Sequence, residues 1–154
     1  MVEISRNGAS VVKDIGEAEF NARFDDCPVV QYNRNGNVHS VYKRILPIPS
    51  GFNAYQVFTY TWASANNKLN VDFEIYDSLA DLESEQGKWK FCNYDDPDVG
   101  YPRDCGKTNA VWNTWFSMPG GRFNARGLTS GASFQLLDDN CPILKGNCKR
   151  FYSK

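Results

Sequence analysis

Tyr55-Gln56-Val57-Phe58-Thr59-Tyr60-Thr61-Trp62 and, after a polar interval, Leu69-Asn70-Val71-Asp72-Phe73-Glu74-Ile75-Tyr76 carry the strongest structural signal in this chain. The first run is dense in aromatic and β-branched side chains, which suit a pleated, half-buried surface. The second alternates strictly. Leu69, Val71, Phe73 and Ile75 fall on one side of an extended chain, and Asn70, Asp72 and Glu74 on the other. With Ala63–Lys68 as the turn, the expectation is a long antiparallel hairpin with one buried face.

Working toward the N-terminus, Ile45-Leu46-Pro47-Ile48-Pro49 cannot be a central strand, because each proline removes a ladder donor. Val38–Tyr42 and Val29–Tyr32 read as strands joined through Asn33–Asn37, where Asn35-Gly36 suits a tight hairpin turn. Asp14–Phe24 reads as two turns of helix, with Phe20 and Phe24 one turn apart on the core side and Cys27-Pro28 ending it. Ser10–Lys13 is a further short strand.

Toward the C-terminus, Ser78-Leu79-Ala80-Asp81 has the form of a capping box and predicts a short helix before Gly87. Trp89–Tyr94, Val111–Met118 and Ala132–Leu137 read as strands. Seven or so short strands with turn-rich joints predict one domain spanning residues 1–154. The expected fold is all-β: an antiparallel, jelly-roll-like β-sandwich with one or two short helices and disulfides.

The chain has five cysteines: Cys27, Cys92, Cys105, Cys141 and Cys148. None stands in a Cys-x-x-Cys pair, and the single histidine cannot complete a Cys/His zinc set. Two local pairings suggest themselves, Cys92 with Cys105 and Cys141 with Cys148. Cys27 is then odd, unless it bonds Cys141 or Cys148. Disulfides imply an oxidising compartment, so the expected localisation is secreted or extracellular. The N-terminus carries no charged-then-apolar leader, which on that reading has been removed.

A formal net charge of -1, with acids and bases mixed along the chain, argues against a nucleic-acid partner, which demands a basic stripe. No apolar run approaches the roughly 20 residues that span a bilayer. Aromatic residues make up 14% of the chain, and that high share directs attention to binding surfaces.

Trp62, Trp112 and Trp115, with Tyr94 and Tyr101, form the candidate aromatic surface; sugar rings stack on such faces while amides and carboxylates hold their hydroxyls. Arg122 and Arg126, in a glycine-flanked connector, are candidates for gripping an anion. Asn93, Asp95, Asp96 and Asp98 supply the oxygen ligands that Ca²⁺ prefers, although EF-hand spacing is absent. His39 is a general-base candidate only if a carboxylate meets it.

The leading expectation is therefore a non-catalytic extracellular binding protein, lectin-like, recognising a glycan or another extracellular ligand through its Trp/Tyr and Asn/Asp surface, with Ca²⁺ as the candidate cofactor. A structural subunit of an extracellular or particle assembly, self-associating through exposed aromatics, is the first alternative. A small secreted hydrolase is the second.

Overall fold

A computed structural model describes residues 2–5, 15–112, 114–116 and 131–143. The elements run β1 (Val2–Ser5), α1 (Glu17–Asp26), β2 (Val29–Arg34), β3 (Asn37–Arg44), α2 (Ala54–Thr59), β4 (Phe73–Tyr76), α3 (Leu79–Ser84) and β5 (Ala132–Leu136), followed by a 3-10 turn at Asp138–Asn140. The strands form one open antiparallel sheet in the order β1-β5-β2-β3-β4. This is a mixed α/β fold, not the expected β-sandwich: helices, not a second sheet, cover the pleated layer.

The reason lies in the stretch that opened the sequence reading. Tyr55, Phe58 and Thr59 are buried, and their spacing of i, i+3 and i+4 is that of one helical face; Trp62, beyond the end of α2, is buried as well. Asn53 caps α2 by accepting the Gln56 N–H at 3.1 Å, and Thr59 bonds back to the Tyr55 carbonyl at 2.5 Å. Local β propensity is thus overridden by a cap and a periodic apolar face. The expected hairpin partner also shortens. Only Phe73–Tyr76 is strand, because Asn70 adopts a φ of 62° and Lys68–Asp72 turns back on itself. Val71, expected on the buried face, is exposed.

The two faces of the sheet bury different partners. Val30, Tyr32, Tyr42, Phe73, Ile75, Phe134 and Leu136 pack beneath α1 and α2, where Phe20, Phe24 and Phe58 meet them. Phe58 lies at the centre of this layer, with ring centroids 4.9–6.2 Å from those of Phe20, Phe24, Tyr42, Trp62, Tyr101 and Phe134. On the opposite face Val29, Val41 and Tyr76 pack with Leu82 of α3, Leu137 and Ile143.

Several expectations hold. Phe20 and Phe24 face the core from α1, the hairpin turns at Asn35-Gly36, and Ser78 caps α3 by accepting the Asp81 N–H. Others do not. The strands expected at Trp89–Tyr94 and from Val111 reduce, among the described residues, to the single bridge Phe91↔Gly106. The stretch expected as a strand at Ser10–Lys13 lies outside the described residues.

Two disulfides are present, Cys92–Cys105 and Cys27–Cys141. The first is the expected local loop closure. The second replaces the expected Cys141–Cys148 pair: α1 ends at Cys27 against the Leu137 carbonyl, which puts its sulfur beside the segment after β5. Cys148 lies outside the described residues.

Candidate functional site

The expected aromatic surface is largely core. Trp62 and Tyr101 are fully buried, and Tyr94 stacks on Trp62 while its hydroxyl accepts the Leu69 N–H at 2.8 Å. Trp115 is partly buried and donates Nε1–H to Asp104 Oδ1 at 2.7 Å. Trp112 alone of the set stands out, 64% exposed beside Val111 at 42%. Arg122 and Arg126 lie outside the described residues. The glycan-recognition expectation loses both its supports, a two-sheet scaffold and a shared aromatic face.

The acidic loop folds onto protein donors. Asp95 accepts the backbone N–H and the hydroxyl of Ser64, at 2.9 and 2.7 Å. Asp96 pairs with Arg103, and Asn93 Nδ2 donates to Asp104. Asp98 sits at a φ of 63° on the turn whose N–H reaches Thr61 Oγ1. No group of three or more His, Cys, Asp or Glu side chains among the described residues is arranged to hold a metal. Asp95, Asp96 and Asn93 are thus engaged by protein partners. They build a loop.

That loop supports the Trp112 segment, which is fastened at both ends. At its start, Gly106 exchanges backbone bonds with Phe91 at 3.0 and 3.3 Å, Lys90 N–H reaches the Lys107 carbonyl at 3.0 Å, and Cys105 is tied to Cys92. A Cβ at Gly106 would sit 1.8 Å from the Asn109 carbonyl oxygen, so only glycine fits this turn. Val111 N–H returns to the Asp104 carbonyl at 3.1 Å. At the far end, Phe116 is buried against Phe134, its N–H donates to the Tyr101 carbonyl, and its carbonyl accepts the Gly100 N–H. The Tyr32 hydroxyl donates to the Thr114 carbonyl at 3.3 Å.

His39 is packed between Tyr32 and Trp89, and the sheet explains why. The β2–β3 register slips between Tyr32 and Asn33, pairing Tyr32 with Ser40 and Asn33 with Val38, so His39 is an extra, bulged residue. A bulge breaks the alternation of side chains, and His39 and Ser40 consequently lie within hydrogen-bonding distance. His39 Nδ1 is 3.0 Å from Ser40 Oγ, which is 2.7 Å from the Tyr101 hydroxyl. The imidazole meets Tyr32 and Trp89 edge-on, at centroid distances of 5.4 and 5.7 Å.

Burial, reinforced by the charge of Arg34 and only partly opposed by Asp77, pulls the His39 pKa down to about 4. Burial pushes the Tyr101 phenol far above its ordinary value. At neutral pH both groups are uncharged. Asp77 itself is raised by burial, but bonds from Lys107 and Trp89 outweigh this and hold it below the usual carboxylate range.

Sequence reading weighed His39 as a possible base and missed its true partners. Ser40 carried no signal, because a bulge depends on the register of another strand. Val111 opens the stretch Val111–Met118 that reads as a strand. No protein-family model, curated protein or solved structure matches the chain.

Proposed function

We propose that this chain is a non-catalytic binding protein of an oxidising, extracellular compartment, engaging a protein partner through Trp112 and Val111. The observation that carries the reading is the pairing of a 64%-exposed indole with a loop fastened on both sides. A large exposed aromatic side chain is the typical anchor of a protein interface. The two sulfur bridges support the compartment. No helix among the described residues is long and apolar enough to cross a membrane. The hydrolase alternative gains nothing from His39, whose Nδ1 is engaged by Ser40 and whose ring is packed between Tyr32 and Trp89.

The test is a comparison of immobilised wild-type protein with Trp112→Ala, each exposed to proteins secreted by the source cells. Wild type should retain a partner that the variant binds about thirtyfold or more weakly, as removal of an interface anchor costs about 2 kcal/mol or more. Equal retention by a variant whose circular dichroism is unchanged removes the proposal. Recovery of the chain itself as the retained species identifies the partner as a second copy.

A further inference from the structure

Trp112 and Val111 are not the only apolar side chains turned to solvent. Leu46 and Val71 are exposed as well, and so is Pro47 between Leu46 and Ile48. The Leu46 N–H lies 3.4 Å from the Asp72 carbonyl, which brings Leu46 beside the turn that carries Val71. Arg44 is the reason these side chains face outward. Its guanidinium is almost wholly buried and draws the carbonyls of Leu46 and Pro47 inward, at 3.2 and 3.4 Å, while a third bond at 2.6 Å takes the Asn66 carbonyl. With the backbone acceptors satisfied on the inside, a Leu-Pro-Val surface is what remains toward water.

The two surfaces are fastened at opposite ends of β4. Asp72, which holds Leu46, comes immediately before the strand; Asp77, immediately after it, accepts Trp89 Nε1–H at 2.8 Å and Lys107 Nζ at 2.7 Å. On the other side of Trp112, the Thr114 carbonyl is held by Tyr32, whose strand partner Ser40 adjoins the Val41↔Tyr76 pair and so lies in line with Asp77. From Asp72 to Asp77 an extended chain advances about 16 Å. An indole at one end and an apolar patch at the other is the arrangement of a head-to-tail contact between copies.

Charge favours a copy as the occupant. The charged side chains beside each surface are already paired within the chain: Lys107 with Asp77, Arg103 with Asp96, and Arg44 with Asp72. A net charge of -1 leaves little repulsion between copies and little field to steer a charged partner.

We propose that Trp112 of one copy docks on the Leu46–Pro47–Val71 surface of the next. The indole covers the proline ring and the two aliphatic side chains, so that each copy buries the apolar group that water otherwise meets. As the identity of the partner this rests on the reading given above, but self-association can fail while the Trp112 surface still serves a foreign protein.

Sedimentation velocity over protein concentrations from about 10 µM to about 1 mM reads the contact. The wild-type coefficient should rise with concentration. Trp112→Ala and Val71→Asp should each stay monomeric, because losing the indole, or burying a charge beneath it, weakens association about thirtyfold or more. Both side chains face solvent, Val71 at 56% exposure, and unchanged circular dichroism verifies the fold of each variant. Leu46→Asp takes the place of Val71→Asp should the latter not fold. The decisive sample is the two variants mixed. Trp112→Ala keeps the patch and Val71→Asp keeps the indole, so the mixture should regain a pair and grow no further. A mixture that stays monomeric overturns the contact, as does association that persists in either variant alone. A wild-type protein that is monomeric throughout also overturns it; if Trp112 then still retains a secreted protein, the binding surface stands without a second copy.

Discussion

The indole of Trp115 donates to Asp104 Oδ1 at 2.7 Å, across the base of the loop that presents Trp112. Asp104 is almost wholly buried at a φ of 56°, and its other carboxylate oxygen is 3.5 Å from both Asn93 Nδ2 and the Arg103 guanidinium. One carboxylate therefore gathers three segments.

Removing it should matter more than removing its donor. Asp104→Ala removes an acceptor shared by the part-buried Trp115, Asn93 and Arg103 donors and should cost about 2–4 kcal/mol, whereas Trp115→Phe, which deletes one N–H and keeps most of the ring, should cost about 1–2 kcal/mol. Urea denaturation gives both values. Limited proteolysis should show faster cleavage between Gly106 and Trp112 in the aspartate variant. Equal stabilities for the two variants would contradict this ranking.

A second prediction concerns the helix that replaces the expected strand. Asn53 caps α2 through Gln56 N–H, accepts from Asn21, and donates to Glu17 of α1 at 3.0 Å. Asn53→Ala should lose about 1–2 kcal/mol, at the upper end for a cap because it also unties α1. Phe58→Ala, at the centre of the aromatic layer, should lose about 3–5 kcal/mol. If Tyr55–Trp62 were instead the edge of a sandwich, the cap substitution would be neutral in thermal denaturation.

The contrast between these residues shows what was legible in the chain. Phe20, Phe24 and Ser78 were readable because each acts within one helical turn, where spacing decides the outcome. Tyr55–Trp62 was ambiguous in principle. Its aromatic and β-branched content favoured a strand, while the i, i+3, i+4 spacing of Tyr55, Phe58 and Thr59 favoured a helix, and Asn53 tipped the balance from outside the run. The site was less readable still. Trp62 and Trp112 look alike in sequence, yet one is buried by neighbouring Phe58 and by Tyr42 and Phe73 from other elements, and the other is exposed. Cys27 and Cys141, 114 residues apart, meet beside the paired β2 and β5, a relationship of tertiary structure that spacing does not carry.

Those bridges should differ in their contribution. Cys27–Cys141 spans 114 residues and Cys92–Cys105 spans 13. Restriction of the unfolded chain grows with the logarithm of loop length, from about 3 kcal/mol for a loop of some 15 residues to about 4.7 kcal/mol near 100. Replacing Cys27 and Cys141 by serine should therefore lower stability more than replacing Cys92 and Cys105, by about 1–2 kcal/mol. The shorter bridge should instead govern the local order of the Trp112 loop. Mass measurement of the folded, non-reduced protein after alkylation should find two intact bridges and one modified thiol, since four of the five cysteines are paired. Full alkylation of all five would remove the oxidising-compartment reading.

Acid stability should show two windows with different owners. His39 is held at about 4, against 6.5 when free. Between those values the unfolded chain binds the proton that the folded protein refuses, so stability rises with pH there. The contribution is complete above about 6.5 and is lost on the way down to about 4, by up to about 3 kcal/mol. Glu74 acts in the same sense at lower pH, because its folded pKa is also lowered. Burial raises its pKa, but hydrogen bonds from Tyr76 and Lys88 and the charges of Lys43 and Lys88 outweigh this and hold it below its ordinary value of 4.5. Its stabilisation is present above that value and disappears only as pH falls through the lowered one. His39→Gln should accordingly flatten the stability profile between about pH 4 and 6.5 while leaving the steeper loss below pH 4 intact, and Glu74→Gln should do the reverse. Chemical denaturation at half-unit steps of pH checks both, and a His39→Gln profile parallel to wild type above pH 4 would exclude a buried neutral imidazole at this position.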